Sequence, residues 1–251
     1  MIQQIIGQQN DIPKTCAIIM PTYNEEETLP VVVEEWSTLA KQINGMLVVI
    51  NDGSKDGTLP FLKEACQHNQ QLIVIDKKNS GHGPSCLLGY RWAFKEGFTW
   101  VFQTDSDGQV KGQEFFKAWD LRDQHDFIFG LRSNRRDGWI RYCISRILRV
   151  VILFIFGVNV PDSNVPFRLM KREALGPYLK IIPDGLYLAN AYLAILLQRS
   201  PQRIHWIEIS FYPRQGGTPS VRLLRFFKVG LKVTKEFMAM RKEFNLAVTK
   251  K

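Results

Sequence analysis

Cys16–Glu25 (CAIIMPTYNE), Met46–Thr58 (MLVVINDGSKDGT) and Trp100–Gln109 (WVFQTDSDGQ) share one plan: a short apolar run, then a polar cluster. Leu72–Ile75 (LIVI) and Phe127–Phe129 (FIF) are further apolar runs. Runs this short, rich in Val, Ile and Phe, read as buried strands. Helix-length segments lie between them at Glu26–Gln42, Gly57–Gln67, Pro84–Glu96 and Gly112–Gln124. Strands alternating with helices predict an α/β fold, a doubly wound and mostly parallel sheet. Such sheets bind ligands at the carboxyl ends of their strands. All three polar clusters fall there.

Composition sets the frame. The 251 residues are 45% hydrophobic and 23% charged, which is ordinary globular usage and excludes a disordered or fibrous chain. Cys16, Cys66, Cys86 and Cys143 lie far apart, which rules out a disulfide scaffold or zinc ribbon and suits a reducing compartment. Met1–Lys14 is polar and lacks the apolar core of a secretory leader. The net charge of +9 calls for an anionic partner: nucleic acid, a phosphorylated substrate or an anionic membrane face.

Asp105 and Asp107 stand one residue apart at a strand end. Hard carboxylate oxygens so placed hold Mg²⁺ or Mn²⁺ together with a substrate diphosphate. Gln109 offers a third oxygen. Asp52 suits the hydrogen-bond donors of a base or ribose. NDGSKDGT alone would also serve as a turn and helix cap.

The order PTYNE, NDGSKDGT, DSDGQ resembles the family 2 glycosyltransferases of GT-A fold, over roughly residues 15–135. These move a sugar from a nucleotide-sugar donor with inversion. The resemblance implies donor contacts at Pro21, Tyr23, Asn24, Glu25, Asp52, Ser54 and Asp105, and metal–diphosphate binding at Asp105 and Asp107. Asn79–Gly83 is similar to the family's turn before a helix, with Pro84 a departure that a helix start tolerates.

The second half is similar to the dolichyl-phosphate (polyprenyl-phosphate) mannose synthases at Gly130–Arg132, Trp139–Arg146, Asp162–Asn164, Phe167–Leu169, Lys171–Glu173 and Arg214–Ser220. In that subfamily the acceptor is a lipid phosphate. By resemblance Arg132, Arg141, Ser145 and Arg214 hold its phosphate, and Arg132 and Arg214 join the catalytic set with the two aspartates. Arg214-Gln-Gly-Gly-Thr-Pro-Ser is one residue longer than the family's usual motif. Asn190 and Ala191 stand about where relatives often carry a glutamate.

The helical pattern over Asp137–Ile155 agrees with a lipid acceptor. At about 100° per residue, Arg141, Ser145 and Arg149 fall within roughly 80° of one another. Ile144, Ile147, Val151, Phe154 and Ile155 cover the opposite arc. Val150–Pro161 is uncharged for 12 residues, short of the roughly 20 that span a bilayer. Within Pro219–Phe244, Arg222, Arg225, Lys228, Lys232 and Lys235 share one face, opposite Leu and Phe, as on a helix lying in a membrane interface. The alternative for both helices, weighed below the lipid reading, is packing on the sheet with solvated charges.

The expected organisation is a donor half at 1–135, an acceptor half at 136–218 and a basic amphipathic helix at 219–251. The expected activity is transfer of a sugar to a polyprenyl phosphate on the cytoplasmic face of a membrane, with peripheral membrane contact. A sugar-hydroxyl acceptor in polysaccharide or glycan synthesis is the alternative; it would need a carboxylate base, for which Asp162 and Asp184 are candidates. A nucleotidyltransferase would show a glycine- and basic-rich loop where PTYNEEE stands. A nucleic-acid partner is not expected, because the basic residues oppose apolar helix faces rather than joining exposed aromatics.

Overall fold

A strand buried on both faces has no need of alternating polarity, so the continuous Ile, Val and Phe runs become the centre of a covered sheet. A computed structural model describes residues 2–7, 12–133, 139–201, 204–213, 230–241 and 244; at 133 and 139–143 only the backbone is described. In chain order the elements are β1 (Ile2–Ile6), β2 (Cys16–Thr22), α1 (Leu29–Gln42), β3 (Met46–Asn51), α2 (Thr58–His68), β4 (Leu72–Lys77), α3 (His82–Glu96), β5 (Trp100–Thr104) and α4 (Gly112–Trp119). Then come β6 (Phe127–Ser133), α5 (Trp139–Phe156), β7 (Phe167–Lys171), α6 (Arg172–Ile181), α7 (Ala189–Leu197) and β8 (His205–Ser210). A helical run at 230–241 follows.

The strands form one eight-stranded sheet in the order β1-β4-β3-β2-β5-β7-β6-β8. The β4-β3-β2-β5 centre is parallel, and every residue in those four strands is buried. The α/β architecture and mostly parallel sheet are as expected from the sequence. The chain reverses direction at β7, which lies antiparallel between β5 and β6. Since β7 opposes both neighbours, β5 and β6 point the same way, and β8 follows β6 in parallel. The carboxyl ends of β2, β3, β4, β5, β6 and β8 therefore share one edge of the sheet.

The strand β1, antiparallel to β4 at the sheet edge, was not expected from the sequence. Its IQQII pattern is half polar and its side chains are exposed or half-buried, as an edge strand allows. The helix α6 was not expected either; it starts directly after β7 and carries Gly176 and Pro177 inside. Helix α1 buries Leu29, Val32, Val33, Trp36, Leu39 and Ala40, the 3.6-residue stripe its sequence shows, and Trp36 stacks on Phe102 at 5.6 Å.

Helix α5 turns Ile152, Ile155 and Phe156 inward. Ile155, grouped by pattern with Ile147 and Phe154, thus parts from them: Ile147 and Phe154 face out. On the inward side, Phe237 of the 230–241 run packs 5.5 Å from Phe156, and Phe244 lies at 5.1 Å. No helix among the described residues is long and apolar enough to cross a membrane.

Candidate active site

Three loops at the carboxyl edge are laced together. The N–H of Asn24 donates to Ser54 Oγ at 3.0 Å, and that of Lys55 donates to Asn24 Oδ1 at 2.8 Å. The N–H of Glu25 donates to Thr58 Oγ1 at 2.9 Å, and that of Gly57 to Glu26 Oε2 at 2.6 Å. PTYNE and NDGSKDGT thus form one braced unit, with about 1 kcal/mol net for each such bond. Asp56 belongs to it, accepting from the N–H groups of Thr58 and Glu26. Burial alone would raise its pKa, but those bonds outweigh burial and hold the carboxyl below its ordinary value.

Asp52 ties in the loop after β4. Its carboxylate accepts the Ser80 and Gly81 N–H groups, each at 2.8 Å, and the Lys77 ammonium. Its carbonyl accepts Asn79 Nδ2 at 2.8 Å. Asp52 and Lys77 are 4% and 3% exposed, so this is a buried ion pair. Gly53 has φ +66°, and a Cβ there would stand 2.8 Å from the Asn79 N–H nitrogen; the close approach requires glycine.

Asp105 and Asp107 follow β5 on the same edge, both half-buried. Ser106 Oγ donates to the Pro21 carbonyl at 3.2 Å, fastening this loop to the first. Asp107 Oδ1 accepts the Gln109 N–H at 3.2 Å. Gln109 is buried, and its Nε2 donates to the Tyr212 carbonyl at 3.0 Å, which leaves Oε1 as the atom it could offer a cation. Pro21 is buried at the end of β2, while Tyr23 stands 41% exposed beside the cleft-edge loops. His82 Nε2 lies 3.8 Å from Asp105 Oδ1 and 3.4 Å from Cys86 Sγ. Desolvation would lower the His82 pKa, but Cys86 and Asp105 outweigh it and raise it. Its side chain is 45% exposed, so water screens that attraction.

Arg132, at the end of β6, makes a two-pronged pair with Asp162, both bonds 2.7 Å, and its guanidinium lies 5.1 Å from the Phe211 ring. Phe211 neighbours Tyr212, the partner of Gln109, so Arg132 comes to the metal-candidate loop by way of β8. Ser145 lies half-buried on α5. Arg149, grouped by pattern with Ser145, bonds Asn159 Oδ1 at 2.7 Å. The Arg141 side chain and all of Arg214 and Ser220 lie outside the described residues, as do Arg222, Arg225 and Lys228.

Sequence reasoning passed over Lys77 and Gln103 here, and named Arg168 and Asn190 without giving them a role. Lys77 ends a buried strand, and Gln103 is the one polar side chain in the apolar WVFQ run; both were visible as polar interruptions. Arg168 is fully buried, donating to the carbonyls of Ser163, Val165 and Asn190 at 2.7, 3.0 and 2.6 Å. Burial lowers its pKa, while Tyr90, Cys86, Asp162 and Asp105 pull the other way. Asn190 is buried and accepts the Tyr90 hydroxyl at 2.7 Å.

The chain is similar to several known glycosyltransferases. Polyprenol monophosphomannose synthase of Mycolicibacterium smegmatis is 28% identical over 166 residues, covering 63% of this chain and 62% of the relative. Undecaprenyl-phosphate 4-deoxy-4-formamido-L-arabinose transferase of Serratia proteamaculans is 23% identical over 221 residues, 86% of this chain and 65% of the relative. The chain thus spans somewhat under two thirds of the length of these relatives. Among solved structures, glucosyl-3-phosphoglycerate synthase from Mycobacterium tuberculosis, in complex with Mn²⁺ and UDP-glucose, superposes with a TM-score of 0.62 at 15% identity, covering 90% of this chain and 79% of that one, a likeness of fold. The profile described as Glycosyl transferase family 2 matches residues 17–179, more than half of the sequence and all three braced loops, and the chain belongs to that family.

Proposed function

We propose that this protein transfers a sugar, with inversion, from a nucleotide-sugar donor to a polyprenyl phosphate at the cytoplasmic face of a membrane. The observation that carries the reading is the convergence of the PTYNE, NDGSKDGT and DSDGQ loops on one sheet edge, with Arg132 held close by. The polyprenyl- and undecaprenyl-phosphate relatives support the acceptor class.

A divalent ion, Mg²⁺ or Mn²⁺, fits the donor set. Such ions take one or two carboxylates and complete their shell with water and substrate phosphate. Asp105 and Asp107 are both partly open, and Gln109 Oε1 is not committed by the Tyr212 bond. No cluster of three or more His, Cys, Asp or Glu suited to a metal occurs among the described residues, so phosphate oxygens would supply much of the shell. When bound, the ion would neutralise the departing nucleoside diphosphate.

The chain's own residues do the rest. The braced loops hold the donor across the strand ends. Arg132 and, by resemblance, Arg141, Ser145 and Arg214 orient the acceptor phosphate through charge-assisted hydrogen bonds. A phosphate oxygen attacks the anomeric carbon as the bond to the diphosphate breaks, and the diphosphate leaves with the electron pair. A phosphate monoester has a second pKa of about 6, so it arrives ionised and needs no protein base. Of the two candidate bases, Asp162 pairs with Arg132, where its charge would help orient that arginine, and Asp184 forms a surface pair with Arg91 with its side chain 91% exposed. Neither arrangement marks a dedicated base, which weighs toward the phosphate acceptor.

Membrane contact is supported by the outward faces of α5 and the 230–241 run. Ile147, Val150 and Phe154 are 63%, 51% and 81% exposed, and Leu231 and Met238 are 67% and 60% exposed. Lys232 and Lys235 accompany them, and each basic residue near anionic lipid contributes about 1 kcal/mol.

Incubation with polyprenyl phosphate and a panel of nucleotide-sugars should yield a lipid-linked sugar and free nucleoside diphosphate in equal amounts. Glycosylation of hydroxyl acceptors alone would overturn the assignment.

A further inference from the structure

Behind Asp105 runs a buried chain of hydrogen bonds. The Tyr90 hydroxyl donates to Asn190 Oδ1 at 2.7 Å, Asn190 Nδ2 donates to Gln103 Oε1 at 3.3 Å, and Gln103 Nε2 donates to Asp105 Oδ1 at 2.9 Å. Tyr90, Asn190 and Gln103 are 1%, 2% and 0% exposed. Arg168, opposite Gln103 in the β5–β7 register, bonds the Asn190 carbonyl at 2.6 Å and fixes the backbone of α7 beneath the chain.

The direction of these bonds is set from the Asp105 end, because the Tyr90 hydroxyl can donate or accept. An ionised carboxylate only accepts, so Gln103 must turn its NH₂ to Asp105 and its oxygen to Asn190. Asn190 must then turn its NH₂ to Gln103 and its oxygen to the tyrosine hydroxyl. Each amide is locked by its neighbour, and the last bond holds one oxygen of Asp105. Oδ2 is thereby left as the oxygen with no hydrogen-bond donor among the described residues. An apolar filling would stabilise this core at least as well, since buried polar groups cost desolvation even when paired. What the polar chain adds is orientation. Outer partners of ligating carboxylates act in this way.

We propose that Gln103 is a positioning residue for the divalent cation, backed by Asn190 and Tyr90, and that it acts by holding the Asp105 carboxylate in its ligating orientation. This rests on the metal reading of Asp105 above. The test is a Mn²⁺ titration followed by the electron paramagnetic resonance signal of the free ion, with UDP and in parallel with GDP. It is run on the wild type, Gln103→Met and Tyr90→Phe, with a melting curve for each. Gln103→Met should weaken Mn²⁺ binding about tenfold or more, the range seen when such partners are lost. The KM for Mn²⁺ should rise in step, and the lost activity should return at high Mn²⁺. Tyr90→Phe, which deletes one hydroxyl and preserves the ring's packing, should weaken binding about threefold. If Gln103→Met does not fold, Tyr90→Phe decides. A folded variant that melts earlier yet binds Mn²⁺ as tightly as the wild type would overturn the positioning role alone. A wild type that binds no Mn²⁺ with either nucleotide would overturn the metal reading and this inference together.

Discussion

The loops at the carboxyl edge and the paired helices α5 and 230–241 are held in opposite ways. In the loops, polar groups bond one another across sequence separations of about thirty residues, and Asp52 is only 4% exposed. In the helices, Phe156, Phe237 and Phe244 form an apolar seam, while Phe154 on the outer side is 81% exposed. In the first region, breaking the bonds of Asp52 strands a buried carboxylate, whereas the bonds of Asn24, Lys55 and Gly57 lie at the surface. The second leaves Ile147, Phe154, Leu231 and Met238 exposed. The proposed donor site and the proposed lipid-facing surface would make different demands, and the two regions differ in the way those demands require.

The sharpest way to break this contrast is at the metal candidates. If the proposed ion sits there, it would supply several kcal/mol at the departing diphosphate, and Asp105→Ala or Asp107→Ala should cut lipid-linked sugar formation about a thousandfold. Melting temperature should change little, and full activity in both variants would remove the metal assignment. Asp52→Ala tests the braced region itself. It leaves the Lys77 ammonium buried without its carboxylate, and should cost about 3–5 kcal/mol in denaturant unfolding. A loss below about 1 kcal/mol would show that the loops are not held by this pair.

Gly83→Ala probes the joint between the regions. Its Cβ would stand 2.3 Å from the Tyr187 carbonyl oxygen, and the Tyr187 N–H is bonded at 3.2 Å by Glu236 of the 230–241 run. A loss of about 1–3 kcal/mol is expected, read from chemical denaturation. Ile147→Ser with Phe154→Ser should leave stability within about 0.5 kcal/mol per site yet lower flotation with anionic liposomes. Undiminished flotation would separate α5 from the membrane. The smallest effect belongs to Asp56. Its folded pKa is depressed, so its bracing is complete above the ordinary carboxyl range and is lost as pH falls through the folded value. Asp56→Asn should slightly flatten the acid limb of melting temperature against pH; an identical limb would place the acid sensitivity elsewhere.

Much of this was legible in the chain. The four central strands and helices α1 to α4 follow from apolar runs and periodicity, because buried parallel strands and amphipathic helices write themselves in side-chain type. The edge strand β1 did not, since pairing along one side lets its residues be polar. The bonds of Gln109 to Tyr212 and of Arg132 to Asp162 join residues 103 and 30 apart, and no local pattern announces such partners.

Sequence alone determined the α/β alternation, the aspartates at a strand end and the family they belong to. Tertiary structure decided that β7 reverses between β5 and β6, bringing Arg132 to the carboxyl edge of the sheet. It also decided that Asp162 and Asp184 are tied to arginines and that a glutamine stands behind Asp105. The physical reason is range: hydrophobic periodicity is set by neighbours a few residues away, whereas the orientation of a buried polar group is set by whatever the fold carries up against it.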